Sequence, residues 1–303
     1  MAMRRWVYAA LAVARVFCAC FALGMIHPDE FFQSQEVMAR HVLHGDQQLQ
    51  RQLHVPWEFR LPTPNRSVLF PALVAGLPYR LMEWLGVTPT GSRLLLIPRL
   101  LLCVSSFFLD AALWKCAKAL HHPDPMGVVL SFASSWTTLI FLSRPFSNTF
   151  ETLVLAACML TLLCMNPHRN LCFQILHPQT LWLGALLAVG FFTRFTFPLF
   201  FFPLGLELVR RQDEILQTAF MKKNSQPGVL RRLMRAISIA VQGFISFASC
   251  SLCIIVLDSI YFRGMNLPVE TVLSPAWLNE NLVIAPLNNL KYNMHEFGYK
   301  VLE

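Results

Sequence analysis

Charge is what this sequence has least of. Only 14% of its 303 residues are Asp, Glu, Lys or Arg, against about 25% in an ordinary soluble domain. That shortage excludes a normally solvated surface. With 55% hydrophobic residues and a mean hydropathy of +0.49, much of the chain is directed toward lipid. Internal repeats and low-complexity tracts are also missing, which removes solenoids and disordered linkers from consideration. Of nine cysteines, only Cys172 falls clearly in a loop. The others lie in or at the ends of apolar runs, so neither a disulfide framework nor a thiolate metal site emerges. Cys250 and Cys253 form a CxxC inside a hydrophobic run, where they read as small packing residues. The net charge of +8 would suggest nucleic acid in a soluble protein. Here the basic residues fall between apolar stretches, as membrane topology requires, and nucleic acid is rejected as a partner.

What remains is a series of apolar runs. A spanning helix needs about 20 mostly apolar residues, and seven candidates satisfy this: Trp6–Ile26, Val68–Val87, Leu94–Leu113, Gly127–Leu142, Thr149–Met165, Leu181–Leu204 and Ala236–Leu257. The second is the weakest, interrupted by Pro71, Pro78, Arg80 and Glu83. The expected fold is all-α and polytopic. Basic residues near the ends set its orientation. A cytoplasmic N terminus puts Arg4 and Arg5 inside, together with seven basic residues between Glu207 and Arg235. The first outside loop, His27–Ser67, then holds four and the segment after Leu257 three. Lys115 and Lys118 go against this assignment. The first run is too long for a signal-peptide core and reads as an uncleaved helix. Asn65-Arg66-Ser67 is a glycosylation sequon, placed very close to the next apolar run.

The two longest polar segments, 27–67 and 258–303, share one predicted side, and function is sought there. His27-Pro28-Asp29-Glu30-Phe31-Phe32-Gln33 follows the first run directly, with Pro28 suited to the first turn of a helix. Phe31, Phe32, Met38, Ala39, Val42 and Leu43 fall on one face, while Glu36, Arg40, His41 and His44 point away. This predicts an amphipathic helix lying in the membrane interface. Two acids in a first turn are accounted for by the helix dipole alone. The same dipole keeps a carboxylate ionised, as a general base must be, so both readings stay open. Arg99, Asp110 and Arg194 fall inside apolar runs, where ionisable groups are costly and are functional or paired. Arg99 and Asp110 share a face but stand three turns apart, so each needs another partner. Arg194 is a candidate for a lipid phosphate, with a structural ion pair as the equal alternative. Ser143–Asn148 reads as a tight connection. Asp258, followed by Tyr261 and Phe262, adds an acid on the side of Asp29. An aromatic belt explains the rings but not the acid.

Taken together, the motifs bear a family likeness. His27–Gln33, continuing through Ser34, Glu36, Val37, Met38 and Ala39, resembles the opening loop of the fourth-mannose GPI mannosyltransferases, a branch of glycosyltransferase family 22. Pro56-Trp57-Glu58-Phe59 and Arg66-Ser67-Val68-Leu69-Phe70-Pro71 are similar to further motifs of that family. So are Arg144 with Phe146–Thr149 and Glu151, Arg194-Phe195-Thr196, Asp258-Ser259 with Tyr261-Phe262, and Asn281–Val283 with Pro286, Asn288, Tyr292 and Asn293. The likeness runs in order over nearly the whole chain. It implies a GT-C glycosyltransferase of the endoplasmic reticulum membrane, with the N terminus cytoplasmic and the active site luminal. It further implies dolichyl-phosphate mannose as donor, a GPI-precursor glycolipid as acceptor, an inverting α1,2 transfer, and neither metal nor cofactor. Asp29 becomes the expected base, with Glu30 the nearer alternative. His27, Gln33, Arg66, Arg194, Asp258 and Tyr261 become candidates for binding substrate or the lipid phosphate. A related mannosyltransferase for another GPI mannose or for the N-glycan precursor, and a non-enzymatic membrane paralogue, are the alternatives. Family members continue well beyond this length, so the resemblance implies a first luminal loop at 27–67, a basic cytoplasmic loop at 205–235, and a second luminal loop at 258–303 that is incomplete.

Overall fold

A chain this poor in charge must satisfy its backbone internally, and helices do so within one segment. In the computed structural model, which describes residues 2–22, 24–40, 55–165, 177–221, 227–265 and 267–297, every regular element among the described residues is helical. In chain order, α1 is Ala2–Phe21, α2 covers 29–39, α3 covers 69–84 and α4 is Gly91–Ala119. Then come α5 (Pro125–Ala133, followed by a π-helical turn at Thr137–Phe141), α6 (Ser147–Leu163), α7 (Pro178–Thr193), α8 (Phe197–Met221) and α9 (Val229–Ser259, continued by a π-turn at Ile260–Gly264). Three short helices follow: α10 (Val269–Val272), α11 (Pro275–Asn281) and α12 (Ala285–Lys291). Starts are encoded locally. Thr90, Asp124 and Ser274 accept a first-turn N–H at the heads of α4, α5 and α11, and Pro125, Pro178 and Pro275 open their helices where an N–H is dispensable.

Side-chain bonds fix which helix ends lie together. Arg4 pairs with Asp124, so the start of α1 meets the start of α5. Arg99 bonds Ala22 O, so the end of α1 meets the first half of α4. Arg211 bonds Leu162 O, and Arg235 bonds Gln212, joining the ends of α6 and α8 to the start of α9. α7 and α9 run parallel, with Ser246 bonded to Leu181 O and Ile254 packed on Phe192. Thus α1, α4, α5, α6, α7, α8 and α9 run from end to end of one bundle. One end carries Arg4, Lys115, Lys118 and Arg232. The opposite end carries Glu30, Arg144, Arg194 and Asp258. By length and apolar composition α4 and α9 suffice to cross a membrane, and α6 and α7 are shorter apolar helices.

Three expectations change. The run Val68–Val87 does not traverse the bundle. α3 begins at Asp258 on the site end, and its Tyr79 hydroxyl bonds Leu94 O on the same end. Its prolines, Arg80 and Glu83 suit a helix lying across helix ends. The run Leu181–Leu204 is two antiparallel helices rather than one. Arg194 adopts an extended conformation, and residues 194–196 turn the chain back. The turn is tight because Phe197 covers Gly190, where a Cβ would come within 2.1 Å of its ring. Finally, the single apolar face expected of α2 divides: Phe32 is exposed, whereas Met38 is buried together with Glu30, Gln33, Ser34, Gln35 and Val37. Polar groups go inward there because each finds a partner. Val42, Leu43, His41 and His44 lie outside the described residues.

Candidate active site

Neighbours on a helix point about 100° apart, and Asp29 and Glu30 take opposite directions. Glu30 is fully buried. Its Oε1 accepts from Arg99 Nε at 2.7 Å and its Oε2 from Arg144 Nη1 at 2.7 Å. The same two guanidinium groups finish α1. Arg99 donates to Ala22 O at 3.0 Å, and Arg144 donates to Gly24 O at 2.7 Å and Ala22 O at 2.8 Å. Carbonyls at a helix C-terminus lack intrahelical partners and favour cations. One cluster therefore locks the end of α1, the start of α2, the first half of α4 and the turn before α6. Arg144, from what read as a plain connection, is central to it.

Asp29 stays at the surface, its side chain 46% exposed. Its backbone N–H donates to His27 Nδ1 at 3.2 Å. The same ring nitrogen lies 3.5 Å from Asp29 Oδ1. Among the described residues no arginine or lysine pairs with Asp29.

Farther along α2, Gln33 is buried and accepts from Ser147 Oγ at 3.3 Å. Ser147 Oγ also accepts from Arg194 Nη1 at 3.4 Å. The first turn of α6 thereby links α2 to the α7–α8 turn. Arg194 donates in addition to Asn148 Oδ1 and faces the Glu151 carboxylate at 3.3 Å. Arg194 and Arg66 line the same small open cleft, of about 60 Å³, between Asn65–Ser67, Phe191–Thr196, Pro286 and Asn289. Arg66 is steadied by Glu58 at 2.9 Å. Below the cleft wall, Asp258 is fully buried and accepts from Ser67 Oγ at 2.9 Å and Val68 N at 3.0 Å, so it caps the head of α3 across the fold. Asn288 and Asn289 donate to Pro64 O and Asn65 O, tying α12 to the same wall. The Tyr261 hydroxyl donates to Val37 O at 3.4 Å, bracing α2 against the end of α9. The sequon is closed by these bonds, since Asn65 is buried and the Ser67 hydroxyl is engaged.

Arg194, singled out as a charge in an apolar run, and Arg66, named only through the family resemblance, meet at one cleft, with Asp258 behind it and Gln33 joined to it through Ser147. His27 and Asp29 stand apart at the entry of α2. The Arg66 and Arg194 side chains are 22% and 31% exposed, each facing a carboxylate, Glu58 and Glu151, and the edges they keep open can take a phosphate through charge-assisted bonds. Among the described residues no group of three His, Cys, Asp or Glu is placed to hold a metal ion. Sequence reasoning overlooked Arg15, fully buried in α1. It is the partner Asp110 needed, 3.1 Å away, with the Tyr8 hydroxyl donating to the same carboxylate at 2.7 Å. An arginine in the first apolar run was the available signal.

The chain resembles known proteins along its whole length. It is 35% identical over 303 residues to human GPI alpha-1,2-mannosyltransferase 4, covering 96% of this chain and 46% of that protein. It is 28% identical to GPI mannosyltransferase 4 of Candida albicans, covering 92% of this chain and 51% of the relative. The Saccharomyces cerevisiae protein of that name is 27% identical, with 96% and 48% covered. The chain therefore spans about half the length of the curated relatives it matches. No solved structure shows significant similarity to it. Residues 6–301 match the Alg9-like mannosyltransferase family, and the chain belongs to that family.

Proposed function

We propose that this chain carries the acceptor-activating part of a mannosyltransferase that moves mannose from dolichyl-phosphate mannose to the third mannose of a GPI precursor. One observation supports this above the others: of two adjacent acids, one is clamped by two arginines and the other is left open at the end of the bundle that holds the Arg66–Arg194 cleft. In this reading Asp29 is the base and Glu30 positions it. Asp29 takes the proton of the acceptor's 2-hydroxyl as its oxygen attacks the anomeric carbon. The bond from that carbon to the phosphate oxygen breaks on the opposite face, inverting β to α. The leaving phosphate keeps the electron pair, and Arg66 and Arg194 offset its charge. A phosphate leaves without protonation, so a single carboxylate suffices. Gln33, His27, Asp258 and Tyr261 shape and support this end of the bundle. The site end faces the lumen of the endoplasmic reticulum, the basic end faces the cytoplasm, and the seven end-to-end helices are the membrane passes.

Complementation tests this directly. Cells lacking the fourth-mannose enzyme would receive the chain alone, or joined to the remaining length of the human relative, as wild type and as Asp29→Asn. Restoration of the four-mannose lipid by wild type and its loss in Asp29→Asn is the expected result. Equal restoration by both removes Asp29 as the base. In a second strain, one that lacks the third-mannose enzyme and accumulates a two-mannose lipid, relief by the chain would move the acceptor assignment to an earlier mannose.

A further inference from the structure

Five tryptophans are exposed among the described residues: Trp6, Trp136 and Trp182 stand on α1, the α5 region and α7, as rings facing lipid do, and Trp84 closes α3, which also belongs to the helical bundle. Trp57, the fifth, is on none of these helices. It stands on a single 3₁₀ turn, Trp57–Phe59, in the loop between α2 and α3, and is 52% exposed. That turn is held firmly. Phe59 is buried in the core under α2 and α3, and the Glu58 carbonyl accepts the N–H groups of Asn65 and Arg66. The Glu58 side chain holds Arg66. Behind Trp57 lies Tyr292, its ring centroid 5.0 Å away at 41°. Tyr292 follows α12, whose Asn289 lines the cleft, bonds Asn65 O, and accepts from Asn293. Both segments that build the cleft wall thus present an aromatic ring at one outer point. The held turn and the contact with Tyr292 fix the Trp57 ring in place, so the pair offers a preset aromatic face beside the cleft wall.

We propose that Trp57, backed by Tyr292, is a platform for a hexose of the acceptor glycan, an assignment that rests on the mannosyl-transfer reading given above. The axial C–H groups on one face of a mannose are apolar and pack on an indole face, while its hydroxyls remain free for the polar rim. The fixed turn means that little ordering entropy is lost on binding. A glycan held there has its next residues beside the cleft wall formed by Arg66 and Asn289.

The test uses the whole chain in lipid nanodiscs and a soluble α-linked mannotriose as probe, read by saturation-transfer NMR and titration. Wild type is expected to bind. Trp57→Ala and Tyr292→Ala should weaken binding by about tenfold, the scale of one lost stacking contact, and Trp57→Phe should retain most of it. All variants should melt with wild type, since Trp57 is half exposed. Absence of mannotriose binding by wild type overturns the platform. So does Trp57→Ala binding as well as wild type, including the case in which it alters only association with empty vesicles, which would make Trp57 a lipid anchor. Mannosyl transfer is measured separately. Measured on the chain joined to the remaining length of the human relative, binding without transfer would sink the enzymatic reading and leave the platform standing, and transfer without binding would do the reverse.

Discussion

Asp29 and Glu30 have the same charge, neighbouring positions and opposite surroundings. Their fates could not be read from spacing, which only says that they diverge by about 100°. What decides is tertiary: Arg99 and Arg144 come from positions far along the chain. The need for partners was legible, since Arg99 and Asp110 could not pair with each other, and both found one in another helix. The identities were not, because ion pairing between helices leaves no periodic trace. A separation of effects follows. Glu30→Gln removes the countercharge of two buried cations, a loss of about 3–5 kcal/mol for a broken buried pair. It should appear as a lowered melting temperature and reduced abundance in membranes. Asp29→Asn, half exposed, should melt like wild type while losing transfer. If both variants melt alike, Glu30 is not the structural member of the pair.

At the scale of helices, composition succeeded wherever an apolar run was also one helix. It failed where a window cannot register a turn. Nothing in the hydropathy of 181–204 interrupts the run except Arg194, and the reversal depends on Gly190 admitting the Phe197 ring. The pair Gly184 and Gly243 carries the same lesson for packing. A Cβ on Gly184 would lie 2.3 Å from the Gly243 carbonyl oxygen, so α7 and α9 touch backbone to backbone, as small residues permit in membrane bundles. The obstructing atom is main chain and cannot rotate away. Gly184→Val should therefore separate α7 from α9 and lower the melting temperature by several degrees. Gly24→Val, with open space around it, is the control. Equal melting of the two would mean that the close approach contributes nothing.

At the scale of the whole molecule, the helices joining the two ends of the bundle among the described residues are not the apolar runs read from the sequence: α3 leaves the set, and the sixth run divides. The direction of α4 is reversed as a result. Lys115 and Lys118, which contradicted the charge rule, come to the end of the bundle that holds Arg4. Residues 143–148 move to the end that holds Glu30. Cysteine labelling from either side of intact microsomes distinguishes the two arrangements. Thr88→Cys should react from the lumen and Pro123→Cys from the cytoplasm. Cytoplasmic labelling at Thr88 would mean that α3 crosses the membrane and that the helix ends are wrongly matched.

The clamp on Glu30 also carries a schedule. Its second arginine lies 114 residues downstream. At synthesis rates of about 5–20 residues per second, roughly 6 to 23 s separate the emergence of the acid from that of Arg144. Arg99 follows 69 residues after the acid, so Glu30 first has neither partner and then Arg99 alone, while the last carbonyls of α1 await their second donor. The orientation of Asp29 is thus settled only after α5 has been made, so the segment that opens α2 matures later than its place in the chain suggests.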